Sequence, residues 1–179
     1  MDQQGWGQPP QGDPQQPQQQ WGQPQGGQPG APDPAAAGWF AQAAAQWPAP
    51  NEEEKQNAFY THLFAAGLNV LCCGFAFPIL GAFAPMLMTK SRHPFLLFHI
   101  NQSLIFQTAV FAVQMVLVVI GLLLSLLCIG WLMYPINAIV WLLALIYPII
   151  VGMKAKEGQW EKYAVIGDKV LAMKSPLIK

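Results

Sequence analysis

Residues 95–153 read FLLFHINQSLIFQTAVFAVQMVLVVIGLLLSLLCIGWLMYPINAIVWLLALIYPIIVGM, without one Asp, Glu, Lys or Arg. Between Glu54 and Glu157 the chain has no Asp or Glu, and its charges there are Lys55, Lys90, Arg92, Lys154 and Lys156. A run of this kind is a bilayer segment, in which each backbone polar group finds its partner inside the helix. The expected fold class is all-α. It is an integral membrane helical bundle with about three apolar helices, the first kinked, an interfacial C-terminal helix and a disordered N-terminal tail. Residues 1–50 form the tail and 51–175 the helical transmembrane domain.

Working outward from that stretch, Cys128 to Met133 makes a very short turn, so the segments on either side form an antiparallel hairpin. The first of them carries polar residues. His99, Ser103, Gln107, Gln114 and Ser125 fall within a sector of roughly 90° on a helix, with Gln102 beside them. Unpaired amides in lipid are costly, so this candidate polar stripe faces protein or water. It is either a face of interhelical hydrogen bonds or the wall of a polar cavity. Trp131, Tyr134 and Trp141 stand where an aromatic belt belongs, and Pro148 is a kink position near the far end of the third segment.

The segment from Phe59 to Met88 would reach about 45 Å as one helix, against a hydrocarbon core of about 30 Å. Pro78 and Pro85 are its kink positions. Gly67, Gly74 and Gly81 recur every seven residues and are candidates for a helix-packing face, as is Gly121 in the next segment. Length favours three full spans. The alternative is a first segment that enters and returns, broken near Gly74 and Pro78. Lys90 and Arg92, with Lys154, Lys156 and Lys162, mark loop 89–93 and the C-terminus as cytoplasmic, in a bacterial inner membrane.

The tail is built from Gln, Pro, Gly and Ala, and Trp6-Gly7-Gln8-Pro9 returns as Trp21-Gly22-Gln23-Pro24. Few aliphatic side chains offset the entropy of ordering it. Residues 35–47 have the makings of a marginal helix with Trp39, Ala43 and Trp47 on one face. The tail ends at Asn51-Glu52-Glu53-Glu54, a capping-box pattern that starts a helix near Glu52. After Lys154 the chain is amphipathic, with Trp160, Tyr163, Val170 and Leu171 against Lys156, Glu161, Asp168 and Lys169. This is a helix on an anionic lipid surface or one docked on the bundle. Cys72, Cys73 and Cys128 read as small apolar packers.

Several residues together form a pattern: His62, Pro78, His93-Pro94-Phe95, His99, Asn101-Gln102, Phe106-Gln107, Lys154-Ala155 and Glu157-Gly158-Gln159-Trp160. It resembles a prokaryotic family of small polytopic membrane proteins of unknown function, distantly similar to the chloroplast import component Tic-twenty. The resemblance covers about residues 57–167. It implies a polytopic fold with no assigned activity and, by analogy only, a link to translocation.

No catalytic constellation is present. His62, His93 and His99 have no metal spacing and no carboxylate partner, and there is no phosphate loop. The expectation is a protein that is not an enzyme and has no metal and no cofactor. It is read as a scaffold or assembly protein, or else as a subunit of a transport or translocation pathway lined by the polar stripe. Its expected partners are the lipid bilayer, other membrane helices including a second copy of itself, and a soluble partner of the tail. No basic patch is dense enough for nucleic acid.

Overall fold

The computed structural model describes residues 38–71, 77–174 and 176–177. The tryptophan repeat of the tail, Cys72, Cys73 and Gly74 lie outside the described residues. Among the described residues seven helices occur in chain order: α1 (Trp39–Gln46), α2 (Glu52–Leu71), α3 (Phe77–Gly81), α4 (Ala84–Met88), α5 (Pro94–Ser125), α6 (Met133–Lys156) and α7 (Ile166–Leu171). Gly130–Leu132 adds one 3-10 turn between α5 and α6. No strand occurs among the described residues.

The expected capping box is present. Glu54 N donates to Asn51 Oδ1 at 2.9 Å and Asn51 N donates to Glu54 Oε2 at 3.0 Å. Two orphan amides of α2 are thereby satisfied reciprocally, and the three glutamates of its first turn complement the dipole.

The course of the chain beyond α2 corrects the expectation of three spans. Thr89 Oγ1 donates to Glu53 Oε1, and Ser91 Oγ to Glu54 Oε1, both at 2.8 Å. The chain that leaves with α2 is therefore back at the start of α2 by residue 91. Segment 59–88 enters and returns. Helix α3 lies on α2 so closely that a Cβ at Gly81 would stand 2.8 Å from the backbone of Phe64 and Ala65. The physical reason is the break itself. Proline at the second position of both α3 and α4 starts new short helices where one long helix would otherwise continue.

Among the described residues two helices are long and apolar enough to cross a membrane, α5 and the stretch Gly130–Lys156 that contains α6. Phe106 meets Tyr147 at 5.9 Å between ring centroids, and Gly121 faces Met133, so the two run antiparallel. Gly152 lies against Phe59 and His62, while Trp141 Nε1 donates to Asn69 O at 3.3 Å, so α2 is antiparallel to α6 and parallel to α5. From Trp141 back to its start at Met133, α6 extends about 12 Å at 1.5 Å per residue, past the end of α2. Pro148 sits inside α6, which continues through it as one helix.

The core is at the polar end. The first three turns of α5, from Pro94 to Ser103, are buried throughout. Phe95, Leu96, Phe98 and Ile100 pack with Phe40 of α1, Trp160 of the loop after α6, and Val170 and Leu171 of α7. Farther along, Val116, Val119, Leu122, Leu123, Leu126 and Leu127 are exposed. An exposed apolar surface of that extent is what lipid contacts.

Two expectations left open are decided here. Residues 39–46, within the stretch 35–47 read as a marginal helix of the tail, are helical, and Phe40 meets Phe98 at 5.7 Å while Trp39 N donates to Met173 O at 2.8 Å. The C-terminal helix does not lie with its apolar face on lipid. Val170 and Leu171 are buried against protein, since α1 and α5 offer them a groove.

Candidate functional site

Where α2, α5 and the loop after α6 meet, four side chains and two backbone carbonyls form one closed network. His62 Nδ1 is 2.9 Å from Tyr163 Oη, and His62 Nε2 is 3.1 Å from His99 Nδ1. His99 Nε2 reaches Gln159 O at 3.3 Å. Gln102 Nε2 lies 3.0 Å from His99 Nδ1 and donates to Glu161 O at 3.0 Å, while Gln102 Oε1 accepts Tyr163 N–H at 3.4 Å. Nearby, Asn101 Nδ2 donates to Leu97 O and Asn101 Oδ1 accepts from Leu177 N at 2.8 Å. His62, His99, Gln102 and Tyr163 are all buried.

The partners dictate the protons. A carbonyl can only accept, so His99 carries its hydrogen on Nε2 and presents Nδ1 as an acceptor. His62 then donates from Nε2 and accepts at Nδ1, and the Tyr163 phenol donates to it. Every bond in the chain Tyr163–His62–His99–Gln159 points the same way with neutral groups. Burial pushes the Tyr163 phenol well above its ordinary value, so it keeps the proton that it donates.

The model of the MamF/MmsF family, described as the magnetosome magnetite crystal formation protein family, matches residues 53–170. The chain belongs to the MamF/MmsF family. The match runs from the first turn of α2 to Val170 in α7, and so includes every residue of the network. No curated protein and no solved structure gives a match. No comparison supports the likeness to the chloroplast import component. Family and apolar helices together make this a membrane protein.

The polar stripe of this MamF/MmsF chain is divided by depth. His99 and Gln102 belong to the network. Ser103 approaches the phenol of Tyr163 without forming a well-aligned hydrogen bond. Gln107 and Gln114 are buried deeper, and Gln107 Nε2 and Gln114 Oε1 have no partner, nor does the Asn69 side-chain amide of α2. Ser125 is exposed at the far end, where its hydroxyl donates to Gly121 O at 2.7 Å.

Among the described candidates, Gly67 and Gly81 do not share a packing face. A Cβ at Gly67 would meet nothing within 4 Å, whereas Gly81 is pressed on α2 and Gly121 on Met133. The break between α2 and α3 removes the common helix that the seven-residue spacing requires. No group of three metal-ligating side chains occurs among the described residues.

A second polar cluster holds the re-entrant hairpin at its base. His93 Nδ1 accepts from Phe95 N at 3.2 Å, capping α5, and Nε2 donates to Pro48 O at 3.0 Å. Its Nδ1 also stands 3.9 Å from Glu54 Oε2. In the neutral ring both atoms are acceptors, so that approach is no ion pair.

Tyr163 and the carbonyls of residues 159 and 161 were invisible as site residues in the sequence. They come from a loop about sixty positions after His99 and Gln102, and no local spacing connects them. The signal that existed was His62 with His99, two neutral imidazoles in otherwise apolar surroundings.

Proposed function

We propose that this chain is a non-enzymatic membrane scaffold or assembly protein serving magnetite crystal formation, the process that its family is described by. The observation that carries this reading is the closure of the His62–His99–Gln102–Tyr163 network by the chain's own backbone carbonyls. Polar groups that are satisfied internally fix the packing of α2, α5 and the loop after α6. Among the described residues of that site they leave no acid, nucleophile or metal set free to turn over a substrate. The partners of such a scaffold are lipid, other membrane helices including further copies of the chain, and a soluble partner for the tail.

For orientation we propose a bacterial inner membrane or a membrane derived from it, with the polar end cytoplasmic. Lys90, Arg92, Lys154, Lys156 and Lys162 all lie at that end, and the α5–α6 turn at the other end has no charge.

One observation favours the second reading, a transport or translocation pathway. Below the network, Asn69, Gln107 and Gln114 carry unpartnered amide atoms inside the bundle, as the wall of a polar path would. Thiol accessibility separates the two readings. With the native cysteines replaced, Ser103→Cys, Gln107→Cys and Gln114→Cys are placed singly in vesicle-embedded protein and treated with a membrane-impermeant thiol reagent. Protection of all three is expected. Labelling at 107 or 114 from either side would overturn the scaffold reading in favour of the pathway.

A further inference from the structure

Burial along the α5–α6 hairpin stops at one depth. No residue of α5 after Gln114 is buried, and none of α6 before Ala144. Residues 115–125 and 133–143 each rise about 16 Å at 1.5 Å per residue. That is about half of a hydrocarbon core of about 30 Å, the thickness of one leaflet. Leu122, Leu123 and Leu126 of α5, with Ile139 and Leu143 of α6, are exposed in that half. Helix α2 ends close to the same depth, where Asn69 O accepts from Trp141 Nε1. Among the described residues, the far leaflet therefore receives little more than two helices.

The leaflet on the polar side receives about four. Beside α5 and α6 it holds α2 and the limb made by α3 and α4. That limb is pressed on α2 at Gly81 and tied to the start of α2 by the bond from Thr89 to Glu53. Its outer side is apolar: Leu80, Leu87 and Met88 are exposed, and Leu87 is 90% exposed. Lys90 and Arg92, also exposed, follow at once and mark the water boundary. Leu87 and Met88 thus take up room among acyl chains just below the headgroups. A helix with its side chains is about 10 Å across, so the polar-side leaflet carries about twice the protein cross-section of the other.

We propose that this chain binds strongly curved bilayer in preference to flat bilayer, with the leaflet of its polar end on the convex side. A body wider in one leaflet expands that leaflet against its partner, and the expanded leaflet of a bent bilayer is the convex one. Flat membrane must deform around such a wedge, as it does around a length mismatch, whereas curved membrane already has the matching shape. Apolar side chains at the headgroup boundary act in the same sense. The partner is a lipid surface of one curvature, and the sign follows from the fold whichever compartment the polar end faces.

The test uses the full chain reconstituted in giant vesicles of phosphatidylcholine, from which a narrow membrane tether is pulled outward. The outer leaflet of the tether is convex. In one preparation Glu52→Cys carries the only cysteine, and an impermeant fluorophore added outside marks chains with the polar end out. In another the native Cys128 is the only cysteine, and the same reagent marks chains with the polar end in. The first label should be enriched on the tether by roughly threefold over the vesicle body, relative to a lipid dye, and the second depleted by a similar factor. Leu87→Gln with Met88→Gln should move the first ratio toward one with far-UV helicity unchanged. Equal density on tether and vesicle for both labels overturns the proposal. So does a shift of the same sign for both, or an enrichment that the double variant leaves at full size.

Discussion

A single hydroxyl closes the network, and its removal is the sharpest test at the residue scale. Tyr163→Phe leaves His62 Nδ1 buried without a donor. The expected cost is about 1–3 kcal/mol of stability, read as a lower midpoint of thermal or denaturant unfolding in detergent. The same substitution changes the pH response. The phenol titrates near 10 in the unfolded chain and higher when folded, because burial disfavours the phenolate. Its contribution is therefore complete below about pH 10 and is lost as pH rises through the folded value. Wild type should lose stability on that alkaline side more steeply than Tyr163→Phe does, with the two curves parallel at neutral pH. Cys128 offers the opposite case. It has φ 57°, in the left-handed region, where a Cβ costs about 1–2 kcal/mol. Cys128→Gly should raise the unfolding midpoint or leave it unchanged. The sequence marks Cys128 as near a turn, yet nothing in the sequence alone shows which turn residue takes that conformation.

At the scale of elements, the helix start at Glu52 and the hairpin of α5 with α6 were legible because both obey local rules: a side-chain cap and a connection too short for anything else. Asn51→Ala should cost about 0.5–2 kcal/mol through the lost cap, and circular dichroism on heating reads it out. The re-entrant hairpin was legible only as an alternative. Length counted for a span and the prolines for a break, and the contact that decided between them is Gly81 on the backbone of Phe64 and Ala65. Gly81→Ala puts its Cβ into backbone that no rotamer change can clear. A loss of about 1–3 kcal/mol is expected, with the bonds from Thr89 to Glu53 and Ser91 to Glu54 as the first casualties. Helix α1 shows where local reasoning stops short, since the pattern offered only a marginal helix. Its eight residues are too short to be stable alone, but Phe40 is completely buried against the first turns of α5 and α7.

For the whole molecule, the consequence is a topology in which the charged ends of α2, α5 and α6 share one side. Glu52→Cys, Lys90→Cys and Lys156→Cys should all be labelled from the same face of sealed vesicles, and the native Cys128 from the opposite one. Three full spans would instead place position 52 opposite position 90. The molecule then divides by solvent. Its aqueous end is a folded cap of α1, α7 and the loop after α6 around the start of α5, and its other end is the bare α5–α6 hairpin in lipid.

Composition alone settled that lipid is the solvent of the long apolar run, because an acid-free stretch of that length has no other way to satisfy its backbone and side chains. It also placed the polar residues of α5 on one side, since a helix fixes their angles. Only the tertiary structure decided what those residues touch. His99 and Gln102 meet His62, Tyr163 and two carbonyls because separate helices and a loop converge there. Ser125, on the same stripe, is exposed and meets only the Gly121 carbonyl of its own helix. Angle around a helix is a local property, whereas the neighbour at each depth depends on where the other helices stop.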